Sequence, residues 1–393
     1  MSKQKILIAM SGGVDSSVTA YLLSKSGASC IGAMMKLYTN DDLSPTLNTK
    51  TCCSLEDAED ARQTAASMNI PFYTFNFTDT FAETVMERFV KAYQQGQTPN
   101  PCIDCNRFLK FERFLQRATE LDCTHIATGH YARIEPDTNG RYLLKAGLDT
   151  TKDQSYVLYA MTQPQLSRTL LPLGGLTKEE VRKIAEQQGF VNAKKRDSQD
   201  ICFAPDGDYA GFIERHTKSH SQNICKPGKF VSPTGKILGD HKGIIHYTIG
   251  QRKGLGISAP HPLFVLSLNL AENTVILGKS EELFNTALEA NDINLIPLDR
   301  LDNSLRVQAK IRYSHVPQPA TIWQTGEDTI RIEFDTPQRA ITPGQAVVIY
   351  DGDIVIGGGT IQESGSAALG AVSMCAACCT PANVSRAAFF RQE

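Results

Sequence analysis

The sequence predicts an α/β parallel-sheet domain, followed by a small mixed domain and a C-terminal β-barrel. Two patterns carry this prediction. In the first half of the chain, short apolar runs alternate with helical patterns, an order typical of a parallel sheet covered by helices on both faces. Between about Thr286 and Glu363, short strand patterns separated by turn residues follow one another at regular spacing, as in a small barrel.

The length of 393 residues is enough for two or three domains. We place the first domain at 1–207, the central domain at 208–284 and the barrel at 285–363. Residues 364–393 are rich in alanine, serine and cysteine without periodicity. They predict a disordered extension rather than a metal site built from its cysteines.

The composition excludes several classes of protein. No apolar run reaches membrane-spanning length and the first residues lack the pattern of a signal peptide, so we expect a cytoplasmic protein without a membrane partner. We also expect a monomer. The net charge of −2 does not predict a general nucleic-acid binder, so any RNA-binding surface must be local. Eleven cysteines without a secretory signal favour redox, catalytic or metal-binding roles over a disulfide framework.

The first strand, predicted at Lys5–Met10, leads into the stretch SGGVDSS at residues 11–17. A helical pattern follows, with Val14, Val18 and Leu22 spaced four apart. Glycines in a strand-to-helix turn, together with the free N–H groups of a helix N-terminus, make a ready anion site. The GK[ST] ending of a Walker loop is absent, so the stretch suits a pyrophosphate held by backbone and hydroxyls, with Asp15 available for magnesium. The alternative is a plain glycine turn with an N-cap at Asp15 or Ser16.

The later elements continue the alternation. Further strands are predicted at Cys30–Tyr38, Phe72–Phe77 and His125–His130, and a hairpin at Tyr131–Ala146. Helices are predicted from Ser54 to about Met68, at Phe81–Gln95, at Phe108–Leu121 and from Thr177 to Gly189. Because ligands sit at the carboxyl ends of parallel strands, we expect Met10–Ser11, Lys36 and Gly129–His130 to meet in one crevice.

Two cysteines lie in the stretch QTPNPCIDCN, predicted to be a loop between Gly96 and Asn106. Cys102 and Cys105 form a CxxC, which alone is ambiguous between redox, metal and structural roles. We expect Cys105 to lie just before a helix, a position that favours the thiolate. A third candidate, Cys202, follows a basic run about a hundred residues later.

The motifs together resemble a known family. SGGVDSS resembles the signature of the PP-loop ATP pyrophosphatase superfamily, which has an adenine nucleotide α-hydrolase-like fold. With NPCxxCN, ATGHY, KDQSY, an ICF cysteine and GQRKGLGI in this order, the chain resembles the tRNA-specific 2-thiouridylase family, NPCxxCN subtype, from Lys5 to about Glu363. The resemblance implies ATP-dependent 2-thiolation of the wobble uridine of tRNA. It implies ATP and Mg²⁺, tRNAs of the Lys, Glu and Gln types, and a persulfide-donating sulfur carrier or cysteine desulfurase.

The resemblance also implies roles for the cysteines. Cys202 carries the sulfur as a persulfide and Cys105 is the nucleophile. Relatives of the other subtype have an aspartate, proposed as acid/base, where this chain has Cys102. In this chain, either Asp104 takes the acid/base role or the reaction needs no such group. Alternatively, Cys102, Cys105 and Cys202 ligate a [4Fe-4S] cluster with one open iron.

Further site residues come from the same resemblance. The ATP-binding positions are Ala9, Met10, Ser11, Gly12, Gly13, Val14, Asp15, Ser16, Ser17, Met35 and Gly129. The positions that contact tRNA or the target base are Asn100, Pro101, Cys102, His130, Lys152, Asp153, Gln154, Arg312, Tyr313 and Gln345. Two other functions remain open: an amide-forming ATP pyrophosphatase of the synthetase kind, and a non-catalytic RNA-binding protein that senses ATP.

Overall fold

The computed structural model describes most of the chain, namely residues 4–39, 55–195, 201–204, 207–218 and 226–363. The predicted helix start at Ser54 and the predicted extension at 364–393 lie outside these residues.

In the described part of the first 170 residues there are seven strands. They are β1 (Lys5–Ala9), β2 (Ser29–Lys36), β3 (Phe72–Asn76), β4 (His125–Ala127), β5 (Ala132–Pro136), β6 (Tyr142–Ala146) and β7 (Thr169–Leu170). Five of them form a parallel sheet in the order β3-β2-β1-β4-β7. The parallel sheet and four of its strands are confirmed. Strand β7 was not predicted, because two residues carry no periodic signal.

Helices cover this sheet. The separate helices are Val14–Lys25, Leu55–Ser67 and Lys178–Gln187. Two longer helices span residues 78–94 and 101–120, each with a stretch of wider π-type turns, at Ala82–Met86 and at Cys105–Arg113. The last of the separate helices begins as predicted, because Thr177 and Glu180 form a capping box.

The helix that carries the paired cysteines starts earlier than predicted. The side chain of Asn100 accepts a hydrogen bond from the N–H of Cys102 at 3.1 Å, and Pro101 occupies the first helical position. We call residues 101–120 the cysteine helix. The prediction that Cys105 precedes the helix is wrong, since Cys105 lies beyond the first turn. Cys102 is the thiol near the N-terminus, where the dipole favours a thiolate.

The described part of the central domain contains the α-helix Tyr209–Lys218, a short 3-10 helix at Ile244–His246 and a four-stranded sheet. Its strands are β8 (Gly228–Val231), β9 (Ile237–His241), β10 (Phe264–Asn269) and β11 (Thr274–Gly278). The sheet order is β10-β11-β8-β9. Phe230, Val265 and Val275 are fully buried in its own apolar cluster.

The C-terminal barrel closes on itself. Its strands are β12 (Phe284–Leu295), β13 (Leu305–Lys310), β14 (Gln318–Gly326), β15 (Thr329–Arg339), β16 (Ala346–Asp351) and β17 (Ile354–Ile361). They follow the order β12-β15-β14-β13-β16-β17, and β12 also pairs with β17. Closure leaves no open edge among these six strands.

The predicted hairpin forms as β5–β6. Strand β6 pairs with β17 through Lys145 and Ile354, so the hairpin extends the barrel sheet. Strand β13 ends at Lys310, which places Arg312 and Tyr313 in the following turn instead of on a strand. The largest apolar cluster contains residues of both the parallel-sheet domain and the barrel, so the two share a core.

Candidate functional site

The SGGVDSS loop (residues 11–17) joins β1 to the helix Val14–Lys25. Gly13 is the N-cap of this helix, and Gly12 has a φ of +76°. A Cβ on Gly12 would lie 2.2 Å from the carbonyl oxygen of Asp57, so the position requires glycine. The first N–H groups of the helix lack intrahelical partners and carry the positive end of its dipole. The loop is therefore a candidate anion site.

Two of the loop serines point inward. Ser16 and Ser17 are buried, and their hydroxyls donate to the Gly13 carbonyl at 2.9 and 3.1 Å. Ser11 is exposed, and its N–H donates to the Ser16 hydroxyl at 3.2 Å. The two buried hydroxyls hold the shape of the loop, and Ser11 is the serine that faces outward.

Asn192 fixes the loop from a distant part of the chain. Its amide Nδ2 donates to the Gly12 carbonyl at 2.9 Å and to the Ser17 hydroxyl at 2.8 Å. The side chain is buried, which strengthens both bonds because water does not compete.

Lys195 adds a second attachment. Its ammonium lies 2.5 Å from Asp57, 2.7 Å from Asp60 and 3.5 Å from the Gly12 carbonyl oxygen. Lys195 is thus joined to the helix Leu55–Ser67 by partly buried ion pairs, and to the SGGVDSS loop by the long hydrogen bond to the Gly12 carbonyl.

Asp15 has a cation beside it in this structure. The ammonium of Lys178 lies 2.8 Å from each carboxylate oxygen, and the Tyr131 hydroxyl donates to one of them at 2.8 Å. Lys178 is 8% exposed and occupies the first position of its helix. Burial and the helix dipole both disfavour an ammonium there, and the Asp15 carboxylate offsets these costs.

Other predicted ATP positions lie beside the SGGVDSS loop, at the end of the first strand and on β2. Gly129 touches the loop, because a Cβ there would lie 3.0 Å from the backbone of Asp15. Ala9 is the last residue of β1, and Met10, which follows it, is buried. Met35 packs partly buried against the core from β2.

The three cysteines differ in exposure. Cys102 is exposed, whereas Cys105 and Cys202 are partly buried and pack against the same apolar cluster. Next to Cys202, Phe203 stacks edge-on with Phe81 and Phe89, at centroid distances of 5.8 and 5.3 Å. These aromatic contacts hold the Cys202 segment against the core that also supports the cysteine helix.

Asp104, the alternative acid/base, is mostly buried beside Arg88. Burial raises the pKa of its carboxyl, and Arg88, at 3.3 Å, opposes that rise. Next along the helix, Arg107 forms an ion pair with Asp292 of the barrel. The Asp104 carboxylate thus belongs to a network that joins the cysteine helix to its neighbours.

Tyr313 lies where the predicted RNA contacts meet. Its hydroxyl donates to the Asp153 carbonyl at 3.2 Å, and its ring is 6.0 Å from that of Tyr156. Burial, Asp153 and Cys102 raise the pKa of its hydroxyl. The residue is nevertheless 43% exposed, although the Lys310 ammonium lies over its ring, 5.5 Å from the centre.

The barrel turn at 340–345 holds the stretch of chain before the cysteine helix. The amide of Gln345 donates to the Thr98 carbonyl at 2.7 Å, and the N–H of Thr98 donates to the Pro343 carbonyl at 2.9 Å. Arg312 donates to the Ala340 carbonyl at 2.6 Å. The predicted RNA contacts Gln345 and Arg312 therefore also have structural partners.

Lys152–Gln154 is tied to the residue after His130. The side-chain oxygen of Gln154 accepts from the N–H of Tyr131 at 3.0 Å, and the Gln154 N–H donates to the Tyr131 carbonyl at 2.9 Å. Asp153 accepts from the N–H groups of Gly147 and Ser155, both at 3.0 Å. This turn is thereby placed beside the SGGVDSS loop.

His130, one of the predicted RNA contacts, is buried in this structure. It is 7% exposed, with Nδ1 2.6 Å from the Thr128 hydroxyl and the ring 5.8 Å from Phe111. Burial, with a smaller contribution from Lys110, moves the pKa of its imidazole well below the ordinary value. In this arrangement His130 supports the site from within.

The lowered pKa of His130 predicts a loss of stability in acid. Unfolded protein takes up the imidazole proton at the ordinary pKa of about 6.5, before the folded protein does. The stability contributed by neutral His130 is thus present above that pH and falls as the pH drops below it. We expect His130→Asn to show a smaller fall in melting temperature between about pH 6.5 and 5 than the unchanged protein, measured by thermal denaturation. An identical fall in both proteins contradicts the assignment.

A metal ion has few protein ligands here. Among the described residues, no group of three or more His, Cys, Asp and Glu side chains is placed to hold a metal ion. The [4Fe-4S] alternative on Cys102, Cys105 and Cys202 therefore lacks its ligand set in this arrangement. Magnesium needs less from the protein, since one carboxylate plus substrate phosphates suffices. Asp15 would hold the ion only by exchanging its contacts with the Lys178 ammonium for it.

Sequence reasoning missed the residues that surround the loop. Lys178, Asn192 and Asp60 were not predicted, and Lys195 was noted only as part of a basic run. Lys178 lies 163 residues from Asp15, so no local pattern connects the two. The capping box at Thr177 predicts where this helix starts. A lysine at the first helical position is unfavourable beside the positive end of the helix dipole, and this was the available signal that Lys178 has a carboxylate partner.

Comparison with protein families gives matches along the described domains. A family model described as the tRNA methyl transferase HUP domain matches residues 4–206. The tRNA methyl transferase PRC-barrel domain matches 211–279, and the aminomethyltransferase beta-barrel domain matches 285–361. None of the helices in the described part of the chain has the length and apolarity that a membrane crossing needs.

Two curated relatives match almost end to end. The tRNA-specific 2-thiouridylase MnmA of Clostridioides difficile (strain 630) is 52% identical over 362 residues, covering 92% of this chain and 99% of that protein. The protein of the same name from Lachnoclostridium phytofermentans is 50% identical over 358 residues, covering 91% and 99%. A solved 4-thiouridine synthetase–RNA complex with bound ATP covers 55% of this chain and 51% of its own, with a TM-score of 0.34 at 17% identity, a likeness too weak to carry an argument.

Proposed function

Because the chain belongs to the tRNA-specific 2-thiouridylase family, we propose that it replaces the 2-oxygen of the wobble uridine of tRNA by sulfur, at the expense of ATP. The substrates are tRNAs of the Lys, Glu and Gln types. The sulfur comes from a persulfide-donating carrier or a cysteine desulfurase.

One continuous set of hydrogen bonds carries this proposal. The Tyr131 hydroxyl binds Asp15 of the SGGVDSS loop, and the Tyr131 backbone binds Gln154. The neighbouring Asp153 carbonyl accepts a hydrogen bond from Tyr313, which is 43% exposed. The candidate anion site and an exposed aromatic side chain are thus joined through Tyr131 and the Asp153–Gln154 turn. That combination suits a reaction that brings a nucleotide and a base together.

The chemistry begins with the poor leaving group on uracil. Oxide does not leave from a carbonyl carbon, so the uracil 2-oxygen attacks the α-phosphorus of ATP and pyrophosphate departs. The helix N-terminus behind Gly13 offsets the charge of the departing pyrophosphate. Asp15 would hold magnesium, which supplies further neutralisation of phosphate charge.

Sulfur then replaces AMP. The terminal sulfur of a Cys202 persulfide attacks carbon 2 and AMP leaves, after which the Cys105 thiolate attacks the Cys202 sulfur. The S–S bond to the nucleotide breaks, and a Cys105–Cys202 disulfide forms. Alternatively, Cys105 attacks the persulfide first and releases hydrosulfide as the nucleophile. Either order leaves one disulfide, and a thiol reductant returns it to two thiols.

The decisive experiment supplies each substrate in turn. Protein, ATP, Mg²⁺, a persulfide donor and unmodified tRNA should yield AMP and 2-thiouridine, seen as retarded tRNA on a mercury-containing gel. Omission of ATP should abolish both products. AMP formation with ammonia or an amine and without thiolation would instead support an amide-forming synthetase. tRNA binding without AMP formation would support a non-catalytic RNA-binding protein.

Tyr313 predicts a measurable contribution to tRNA binding. We expect Tyr313→Ala to weaken tRNA affinity about tenfold, because stacking of one base on an aromatic ring is worth about 1–3 kcal/mol. Tyr313→Phe should retain most of the affinity, since the ring remains. Filter binding or fluorescence anisotropy measures both.

Tyr73 provides the matched control. It lies on β3 and is 48% exposed, close to the 43% of Tyr313. Tyr73→Ala should leave tRNA affinity unchanged. Equal losses in Tyr73→Ala and Tyr313→Ala would show that Tyr313 has no special role.

A further inference from the structure

Lys178 is a buried cation beside the SGGVDSS loop, and the reaction steps above give it no part. Its ammonium lies 2.8 Å from each carboxylate oxygen of Asp15. It also lies 5.7 Å from the centre of the Tyr131 ring, a cation–π contact. A buried charge is costly unless an anion accompanies it, so the ion pair with Asp15 stabilises Lys178 in this structure.

The main chain of Lys178 is held firmly in place. Its N–H donates to a carboxylate oxygen of Asp149 at 2.9 Å, and Thr177 before it caps the helix Lys178–Gln187. This helix packs against the helix Val14–Lys25 through an apolar cluster that includes Val14, Val18, Val181 and Ala185. A lysine side chain is a flexible chain of four carbons, so the ammonium can exchange its partner while the helix stays in place.

The Asp15 carboxylate faces the solvent more than Lys178 does. Its side chain is 30% exposed, against 11% for that of Lys178. Asp15 is also the second residue of the helix Val14–Lys25, whose first N–H groups form the candidate anion site. A phosphate group bound at these N–H groups therefore approaches Asp15 from the solvent side, with the Lys178 ammonium next to the same carboxylate.

A phosphate chain next to Asp15 creates a conflict of charge. The carboxylate repels the phosphates unless a cation offsets its charge, and either Lys178 or Mg²⁺ can do so. When Mg²⁺ occupies Asp15, the buried ammonium gives up its contacts with that carboxylate, and a new anion must offset their loss. The phosphate oxygens of the nucleotide are the anionic groups next to it, and they accept strong charge-assisted hydrogen bonds.

We propose that Lys178 is the phosphate-binding lysine of this nucleotide site. With the site empty its ammonium neutralises Asp15, and with Mg²⁺ on Asp15 it binds the β- and γ-phosphates of ATP, the part that leaves as pyrophosphate. A Walker loop carries its own lysine for this contact, whereas residues 11–17 contain none. Lys178 supplies the charge from 163 residues further along the chain. The proposal rests on the proposed function, because it requires ATP as a substrate.

Titration calorimetry with ATP, in the presence and absence of Mg²⁺, tests this exchange. At saturating Mg²⁺, Lys178→Met should weaken ATP affinity at least about tenfold, because a hydrogen bond between charged groups is lost. AMP affinity should stay the same, since AMP lacks the β- and γ-phosphates. Without Mg²⁺ the loss of ATP affinity should be larger still, because the Asp15 carboxylate then faces the phosphates with neither cation beside it. Mg²⁺ should therefore improve ATP affinity by a larger factor in Lys178→Met than in the unchanged protein.

Asp15→Asn is the reciprocal variant. It removes the carboxylate that holds the ammonium, so Lys178 meets the phosphates without competition. In the absence of Mg²⁺, Asp15→Asn should bind ATP several-fold more tightly than the unchanged protein does, and the gain in affinity from Mg²⁺ should shrink. Weaker ATP binding by Asp15→Asn without Mg²⁺ would contradict the exchange, and this result decides the matter if Lys178→Met does not fold.

Lys145 provides the matched control. It is also partly buried and paired, with its ammonium 2.6 Å from Glu135 in the hairpin β5–β6. Lys145→Met should leave every nucleotide affinity unchanged, and Lys178→Arg, which keeps the charge, should retain more ATP affinity than Lys178→Met.

Three results in folded Lys178→Met overturn the proposal, with melting temperature as the measure of folding. They are an unchanged affinity for ATP, an equal loss of affinity for ATP and AMP, and a gain from Mg²⁺ no larger than in the unchanged protein. Failure of the unchanged protein to bind ATP at all would overturn the proposed function itself.

Discussion

Replacing Cys202 by serine is expected to abolish 2-thiouridine formation while ATP binding persists. A serine hydroxyl does not carry a sulfane sulfur, so no persulfide forms and the acceptor base receives no sulfur. The loss should exceed about a thousandfold, as is typical when a covalent catalytic group is removed. Single-turnover assays with an excess of persulfide donor measure it, and titration calorimetry with ATP measures binding.

Cys105→Ser should cause a comparable loss of 2-thiouridine formation, but at a later step of the reaction. The Cys202 persulfide still forms, because that residue is unchanged, and mass spectrometry should detect the added sulfur atom. Turnover stops, since no thiolate attacks Cys202. If Cys105→Ser thiolates tRNA at an ordinary rate, the two-thiol mechanism is wrong.

Cys30 and Cys102 make the comparison specific. Cys30 lies on β2 with its thiol directed at the Ala28 carbonyl, and Cys30→Ser should behave like the unchanged protein. Cys102→Ser separates the two sulfur routes. The persulfide route predicts that activity survives this change, whereas a three-cysteine iron–sulfur cluster predicts its loss together with bound iron.

Local patterns predicted the elements that local forces determine. The apolar run of β1, the glycine turn and the helix after it are adjacent in the chain, and their order alone predicts an anion site. The same kind of signal was present at Asn100 and Pro101, which are a favoured N-cap and first helical residue. If Asn100 and Pro101 are given more weight than the loop-like composition around them, the sequence predicts Cys102 at the helix N-terminus.

Local sequence patterns do not predict contacts between segments that are distant in the chain. Lys178 reaches Asp15, and Asn192 reaches Gly12, only because the chain crosses the sheet several times between them. The position of Tyr313 depends on where β13 ends, and strand ends are set by barrel closure rather than by propensity. These residues complete the site, and only the folded chain brings them together.

Gly12→Ala should both destabilise the protein and weaken ATP binding at least about tenfold, because two separate costs act at this position. The left-handed backbone, with φ of +76°, costs an L-residue roughly 1–2 kcal/mol. In addition, the new Cβ would lie 2.2 Å from the Asp57 carbonyl oxygen, so either the loop or the helix Leu55–Ser67 must move. Movement of the loop shifts the N–H groups that face the pyrophosphate.

Comparison with Gly27→Ala separates the steric cost at Gly12 from the backbone cost. Gly27 has a φ of +83°, and a Cβ at this position would have no heavy atom within 4 Å apart from its chain neighbours, so this variant bears the backbone cost alone. Urea denaturation should show a larger loss of stability for Gly12→Ala than for Gly27→Ala, and calorimetry should show weakened ATP binding only for Gly12→Ala. Equal losses of stability with unchanged ATP affinity would mean that the close approach of Asp57 does not shape the nucleotide site.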